Sequence, residues 1–247
     1  SEWVVHREGL DEVELPATVE ETVERRLDAL TEDERQLLEM ASCIGDAFWP
    51  ESLRALYHLQ ADHSEEVKNY WFVDEIDERV DELLESLERK DMVRRRDEST
   101  LRGHDELHFK HRIERRTVYE EIAGQRKQRY HRLVAQWLER TVDEQEGRAA
   151  ETIAEHYDDG HCLDKAAKKY VQAARYASER WANQKAIELF TKGLGYLSDA
   201  DIDLKLGAFH DLGSVYERRG EYDQALAYFR EMLRYSWVLN DTSKAGA

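Results

Sequence analysis

Three histidines lie close together in the segment HDELHFKH, and imidazole is a common metal ligand. His104, His108 and His111 are separated by four and three residues, and on a helix this spacing could form a zinc site. However, Leu107 and Phe109 alternate with polar residues as in a strand, which sends His108 and His111 to opposite faces. The spacing also differs from the HExxH pattern of metalloproteases. We therefore predict no metal site in this chain.

A run of basic side chains is the second candidate, because such a surface binds phosphate groups or acidic proteins. Between His108 and Arg132 there are eight basic residues against three glutamates, and the arginines of MVRRR extend this excess upstream. We define the basic patch by its members: Arg94, Arg95, Arg96, Lys110, Arg112, Arg115, Arg116, Arg126, Lys127, Arg129 and Arg132. The patch could face a phosphate or an acidic partner. Alternatively, it could pair within the chain with the acidic segment 74–91.

No pair of nucleophile and base is evident in the sequence. Ser42, Ser52 and Ser214 lie in helical patterns without the glycines of a nucleophile elbow. Cys43 and Cys162 stand singly, without the spacing of a disulfide framework or a zinc site. The chain also lacks a GxxxxGK[ST] phosphate-binding loop. We therefore predict no catalytic residue and no enzyme activity in this chain.

The first half of the chain has helical patterns followed by a short hairpin. Thr18 with Glu21, and Thr31 with Glu34, form capping-box patterns before apolar faces of helical spacing. The segment 74–91 has the clearest apolar stripe of helical spacing, and the pattern of 60–72 predicts a loop. Alternation in MVRRR and LHFKH predicts two strands. Three helices before a two-stranded hairpin are the layout of a winged-helix domain, which we place at 15–142 after an N-terminal extension, 1–14.

DNA binding through this domain is disfavoured by charge. The helix at 74–91 would be the one that enters the major groove of DNA in a winged helix. It carries nine acidic residues against three basic ones, a net of six negative charges that would face the phosphates.

The second half of the chain predicts an array of helices at 143–247. Ala186 and Phe190 in KAIELF recur as Ala225 and Phe229 in QALAYF, thirty-nine residues later. A small residue followed four positions later by an aromatic lets one helix pack closely on another. The predicted fold class is therefore mainly α, a winged-helix domain with a small β-hairpin wing followed by a helical array.

The repeated segments resemble the tetratricopeptide family. Residues 206–239 carry the pattern of that family at Leu212, Gly213, Tyr216, Gly220, Tyr222, Ala225 and Phe229. A weaker repeat spans about 167–200, where Ala173, Ala174 and Ala177 replace the first three of these residues. The resemblance implies that the landmark residues form the core and that protein partners bind the exposed face of the first helices. It nominates His210, Ser214, Glu217 and Arg218 for that face.

The order of segments over 15–240 resembles the region behind the nucleotide-binding core in STAND-class (AAA/NACHT-like) bacterial signalling ATPases, many of them associated with cyclases or kinases. The segments are LPATVEETVERRLDALTEDERQLLEMASCIG, LLESLERKDMVRR, LHFKHRIERRTVYEEI and AETIAEHYDDG. The resemblance implies a regulatory fragment whose repeats sense a partner or ligand. ATP or ADP would bind an absent ATPase domain rather than this chain, and His111 would contact the nucleotide phosphate. The parent protein could oligomerise.

Composition limits the remaining choices. A net charge of −18 repels nucleic acid except at a local basic surface. The sequence has neither a signal-peptide pattern nor an apolar run of membrane-spanning length, so we expect a cytoplasmic protein without membrane contact. The start without methionine leads us to expect a fragment. Two alternatives stay open: a stand-alone tetratricopeptide adaptor, and a winged-helix transcription regulator that binds DNA through the basic patch.

Overall fold

Helices make up most of the computed structural model, which describes residues 18–61, 72–100, 103–142, 147 and 149–245. The helices are α1 (Val19–Asp28), α2 (Glu32–Ile44), α3 (Pro50–Ala61), α4 (Phe72–Arg89), α5 (Arg112–Glu121), α6 (Gly124–Thr141), α7 (Ala150–Asp159), α8 (Leu163–Glu179), α9 (Asn183–Tyr196), α10 (Ile202–Arg218) and α11 (Tyr222–Ala245). The strands are β1 (Ala47–Phe48), β2 (Val93–Arg95) and β3 (Leu107–Phe109). The predicted mainly α fold, with a small hairpin and a helical array, is confirmed.

The chain divides into two compact units, Ser1–Ile122 and Ala123–Ala247. We predicted a domain boundary at 142. In the structure, α6 ends just before that position and packs against α7 within the second unit. The predicted extension at 1–14 and most of the predicted loop at 60–72 lie outside the described residues. No helix in the described part of the chain combines the length and the apolar character needed to cross a membrane.

Capping side chains define where the first two helices begin. Thr18 Oγ1 accepts a hydrogen bond from the Glu21 backbone N–H at 3.1 Å. At α2 the capping box is complete, since Thr31 Oγ1 accepts from the Glu34 N–H and the Glu34 carboxylate accepts from the Thr31 N–H. These bonds satisfy N–H groups that have no partner inside the helix. Both predicted helix starts are therefore confirmed.

The predicted hairpin forms, and a third strand joins it. β2 and β3 pair antiparallel with Val93 opposite Phe109, and β1 pairs along the other edge of β3. The strand order is β1-β3-β2. The buried Phe48 and Phe109 rings meet edge to face, with centroids 5.6 Å apart. Sequence analysis missed β1 because two residues are too few to show an alternating pattern.

In its described residues, the second unit is a row of three helical hairpins: α6 with α7, α8 with α9, and α10 with α11. The last two are the predicted repeats, and the first extends the row upstream of them. Small residues allow the helices to approach closely. A Cβ added at Gly193 would lie 2.9 Å from the Val171 side chain, and one at Gly213 would lie 2.6 Å from the Phe229 ring.

The turns after α7, α8 and α10 share one backbone geometry. Each contains a residue with positive φ: His161 at 54°, Trp181 at 60° and Gly220 at 77°. In the two predicted repeats the hydrogen bonds that end the first helix also match. The Ala182 N–H donates to the Ala177 carbonyl, and the Glu221 N–H donates to the Tyr216 carbonyl, each at 3.0 Å. The thirty-nine-residue period seen in the sequence is therefore also a period of the backbone.

Candidate functional site

An open groove lies between α8 and α10, the first helices of the two predicted repeats. Its volume is about 480 Å³. Phe190, whose side chain is fully buried, closes the floor of the groove from α9. The lining residues are Arg175, Ser178, Glu179, Phe190, His210, Asp211, Ser214 and Arg218.

Three of the four residues predicted to form a partner-binding face line this groove. His210, Ser214 and Arg218 follow one another at intervals of four along α10, so they share a face of the helix. Glu217 is exposed but is not among the lining residues. The structure thus brings three of the predicted residues together, while their role in binding stays a prediction.

Sequence analysis missed the contribution of α8 to the groove. Arg175, Ser178 and Glu179 stand thirty-nine residues before Ser214, Glu217 and Arg218. The period that related the core residues of the two repeats also relates these surface residues. Applying it to the predicted partner-binding face would have identified the α8 wall.

Arginine side chains organise the charge of the groove. Arg175 Nε donates to Asp211 Oδ2 at 2.7 Å, so this ion pair joins the two walls. Arg218 instead donates to Ser178 Oγ and lies with its guanidinium carbon 5.7 Å from the centre of the Trp181 ring. Within the described residues, Arg218 has no carboxylate at ion-pair distance. Arg175 is therefore neutralised by a carboxylate, whereas the Arg218 guanidinium contacts a hydroxyl and an aromatic ring.

The groove also offers uncharged hydrogen-bonding groups. Ser214 Oγ donates to the His210 carbonyl at 3.0 Å, which leaves the lone pairs of the hydroxyl for an incoming donor. His210 Nδ1 lies 3.3 Å from Asp211 Oδ1, and its side chain is exposed. Polar walls suit an extended peptide, whose backbone needs hydrogen-bond donors and acceptors.

The basic patch falls on both compact units. Its last four members, Arg126, Lys127, Arg129 and Arg132, lie on α6 in the second unit. The seven members in the first unit each have a carboxylate partner. The pairs are Arg94–Asp91, Arg95–Glu88, Arg95–Asp105, Arg96–Glu106, Lys110–Asp91, Arg112–Asp46, Arg115–Asp46 and Arg116–Glu120.

These ion pairs involve the predicted acidic segment 74–91 in part. Glu88 and Asp91 come from the end of that segment, whereas Asp46 lies in the connection between α2 and β1. Hydrogen bonds from Lys110 and Arg94 lower the pKa of Asp91, so its carboxylate stays charged. The side chains of the first-unit patch therefore hold the hairpin and its flanking turns, and their function towards a partner stays a prediction.

The surroundings shift the pKa values of two buried glutamates in the first unit in opposite directions. Burial would raise the pKa of Glu34, but hydrogen bonds from Lys90, Ser86 and the Thr31 N–H lower it to about 2. Burial raises the pKa of Glu114 despite its ion pair with Arg26. The difference arises because Glu34 receives three hydrogen bonds, whereas Glu114 Oε2 is buried without one.

The predicted phosphate contact, His111, is exposed at the start of α5. Its backbone is extended, its carbonyl accepts from the Glu114 N–H at 3.1 Å, and its side chain makes no capping hydrogen bond. The imidazole is therefore accessible to a group outside this chain. Its role as a phosphate sensor stays a prediction.

The three histidines of HDELHFKH occupy different environments. His104 Nδ1 lies 3.5 Å from Glu51 Oε2, His108 lies in β3 with Nδ1 buried, and His111 follows β3. In the described part of the chain, no group of three histidine, cysteine or carboxylate side chains is arranged to hold a metal ion.

No protein-family model matches the chain, and no curated protein matches its sequence. A crystal structure from Pyrococcus horikoshii, described as a Signal Transduction ATPase with Numerous Domains (STAND) protein with a tetratricopeptide repeat sensor, is similar at 14% identity and a TM-score of 0.36. The similarity covers 93% of this chain and 35% of that one. The chain thus spans about a third of the length of that structure.

Proposed function

We propose that this chain is a non-catalytic regulatory protein whose helical array binds a peptide segment of a partner protein in the groove between α8 and α10. The observation that carries this proposal is the meeting of two repeats at one site. His210, Ser214 and Arg218 on α10 face Arg175 and Ser178 on α8 across the same space.

Direct contacts connect the two walls of this groove. The Arg175–Asp211 ion pair joins α8 to α10. A Cβ added at Gly207 would come within 2.9 Å of the Arg175 guanidinium, so the absence of a side chain there makes room for the pair. A preformed groove binds a peptide with less loss of conformational entropy than a flexible surface does.

The regulatory role is the second part of the proposal. The order α2, β1, α3, α4, β2 and β3 in the first unit supports a winged-helix domain, and the order of the four sequence segments supports the regulatory region of a STAND-class ATPase. In such a protein ATP or ADP would bind a separate domain, with His111 reaching its phosphate. The nucleotide state would then be coupled to peptide binding by the array.

A stand-alone adaptor is the alternative that the groove also supports, because peptide binding requires no nucleotide. The two functions differ at His111. In the whole gene product, nucleotide affinity that is unchanged by His111→Ala would contradict the phosphate-sensor role.

The ion pairs of the basic patch bear on the third function, DNA binding. Every first-unit member of the patch is already paired with a carboxylate, so a phosphate would have to compete with these partners. We therefore regard DNA binding as less well supported than the regulatory and the stand-alone adaptor functions.

Selection from a phage-displayed library of random twelve-residue peptides tests the groove. We expect the chain to select peptides whose affinity falls at least tenfold in Ser214→Arg, because the long side chain fills the groove. Ser236→Arg is the matched control, since Ser236 Oγ on α11 also bonds a carbonyl of its own helix but is not a lining residue. Peptides that bind Ser214→Arg as well as the native chain would contradict the proposal.

A further inference from the structure

Trp181 occupies a backbone position that glycine would adopt more easily. Its φ of 60° lies in the left-handed region, where the Cβ of other residues is crowded. The equivalent residue of the next repeat, thirty-nine positions later, is Gly220. The indole gains little from packing, because 72% of the side chain is exposed. A bulky apolar residue is thus held in a strained, exposed position, which is a pattern found at functional sites.

The indole lies at one end of the groove. The guanidinium of Arg218, a lining residue, is 5.7 Å from the ring centre. Arg180, the residue before Trp181, stacks on the Tyr176 ring instead and is not a lining residue. Across the described chain, Arg218 has no carboxylate at ion-pair distance. This end of the groove therefore presents one exposed aromatic face and one arginine with unused donors.

The chemistry of Trp181 and Arg218 selects a class of ligand. A guanidinium donates two parallel hydrogen bonds to a carboxylate, and an indole stacks on an aromatic or other flat apolar group. Asp211 is neutralised by Arg175, and Glu179 is the other carboxylate of the lining. Arg218 is the lining charge that contacts the indole, so a ligand residue next to a ring stacked on Trp181 would meet a positive charge.

We propose that Trp181 contacts the bound peptide, and that the peptide carries an aspartate or glutamate next to an aromatic residue. The peptide carboxylate binds Arg218, and the neighbouring aromatic ring stacks on Trp181. This assignment rests on the proposed peptide-binding function and names the recognised residues.

The test uses the same random twelve-residue peptide library. We expect the selected peptides to be enriched in an acidic residue beside an aromatic one. Trp181→Gly should lower their affinity at least tenfold while leaving the melting temperature unchanged or higher, because glycine relieves the backbone strain. Asparagine also tolerates a left-handed backbone, so Trp181→Asn should lower peptide affinity in the same way.

Matched variants separate ligand contact from turn geometry. His161→Gly relieves the same kind of strain in the turn after α7 and should leave peptide affinity unchanged. Arg218→Gln should weaken binding at least fivefold. Arg219→Gln should have little effect, because Arg219 already pairs with Glu221.

The outcomes distinguish this inference from the function on which it rests. Peptides that lose affinity in Ser214→Arg but keep it in Trp181→Gly would overturn the role of Trp181 and leave groove binding intact. Enrichment of basic peptides would overturn the assigned ligand class. Failure to select any peptide would overturn the peptide-binding function and this inference together.

Discussion

The two predicted repeats have the same backbone but differ in how well they match the tetratricopeptide pattern. The second repeat carries all seven landmark residues, whereas the first has Ala173, Ala174 and Ala177 at the first three positions and Trp181 in the turn. At the equivalent phenylalanines, however, the first repeat is the more buried one. Phe190 in the first repeat is fully buried, while its equivalent Phe229 is half-buried. Similarity to the family pattern therefore does not measure how much a residue contributes to the core.

Position in the row of hairpins explains this difference. The hairpin of α8 and α9 is flanked by α7 on one side and α10 on the other. Within the described residues, the hairpin of α10 and α11 is flanked on one side, and Leu226, Leu233 and Trp237 on α11 are at least half exposed. Because each repeat contacts its neighbours alone, a residue in the middle of the row gains more burial than its equivalent at the end.

The largest expected effect is at the equivalent phenylalanines. Phe190→Ala should reduce the free energy of unfolding by about 4 kcal/mol, because it removes a fully buried ring and leaves a cavity. Phe229→Ala should cost about 2 kcal/mol, since its ring is partly in water already. Urea unfolding followed by circular dichroism measures both. Equal losses would contradict the view that position in the row decides the contribution.

The second expected effect concerns close helix packing in the second repeat. Gly213→Ala should destabilise the chain by about 1–2 kcal/mol, because the new Cβ would meet the Phe229 ring. Gly195→Ala on α9 is the control, since nothing lies within 4 Å of its added Cβ. It should stabilise the chain by about 0.5–1 kcal/mol through the higher helix propensity of alanine. Thermal or urea unfolding should therefore show shifts of opposite sign.

The third expected effect lies in the equivalent turns. Gly220→Ala should cost about 1 kcal/mol, because φ is 77° there although no atom crowds the added Cβ. The equivalent native residue, Trp181, already bears this cost, so Trp181→Ala should change stability by less than Gly220→Ala does. Melting temperatures of the two variants measure the difference. A larger loss at Trp181 would show that its side chain stabilises the turn.

The smallest expected effect concerns the support that the first repeat receives from the preceding hairpin. Burial would raise the pKa of Glu139, but hydrogen bonds from Tyr157 and Lys169 lower it below its ordinary value of 4.5. A carboxyl with a lowered pKa stabilises the fold above its ordinary pKa, and this contribution is lost as the pH falls through the lowered value.

Melting temperatures between pH 7 and pH 3 test this contribution. The native chain should lose more stability on acidification than Glu139→Gln does, and the exposed Glu217→Gln serves as the control variant. A parallel pH dependence in the native chain and Glu139→Gln would contradict the role of Glu139.

Local sequence patterns predicted much of the fold. The capping residues Thr18 and Thr31 marked the helix starts, and the alternation around His108 marked the hairpin. These features could be predicted because each depends on residues within a few positions of one another. The strand β1 could not be predicted, since its pairing partner Leu107 lies far along the chain.

The candidate site was predicted in part. The resemblance to the tetratricopeptide family nominated His210, Ser214 and Arg218, which lie at intervals of four on one helix face. The opposite wall, with Arg175 and Ser178, depends on how α8 packs beside α10. The partners of the basic patch depend likewise on tertiary contacts, as the Asp46 pairs with Arg112 and Arg115 show.

The sequence by itself determined the helical class, the hairpin and the thirty-nine-residue period, because periodicity and capping act over short distances. The tertiary structure alone decided which residues are buried, which charges are neutralised and that the exposed Trp181 lies beside Arg218. Burial and ion pairing depend on neighbours that are distant in the chain. For this reason Trp181 became a candidate ligand contact only when its strained backbone, its exposure and the nearby Arg218 were seen together.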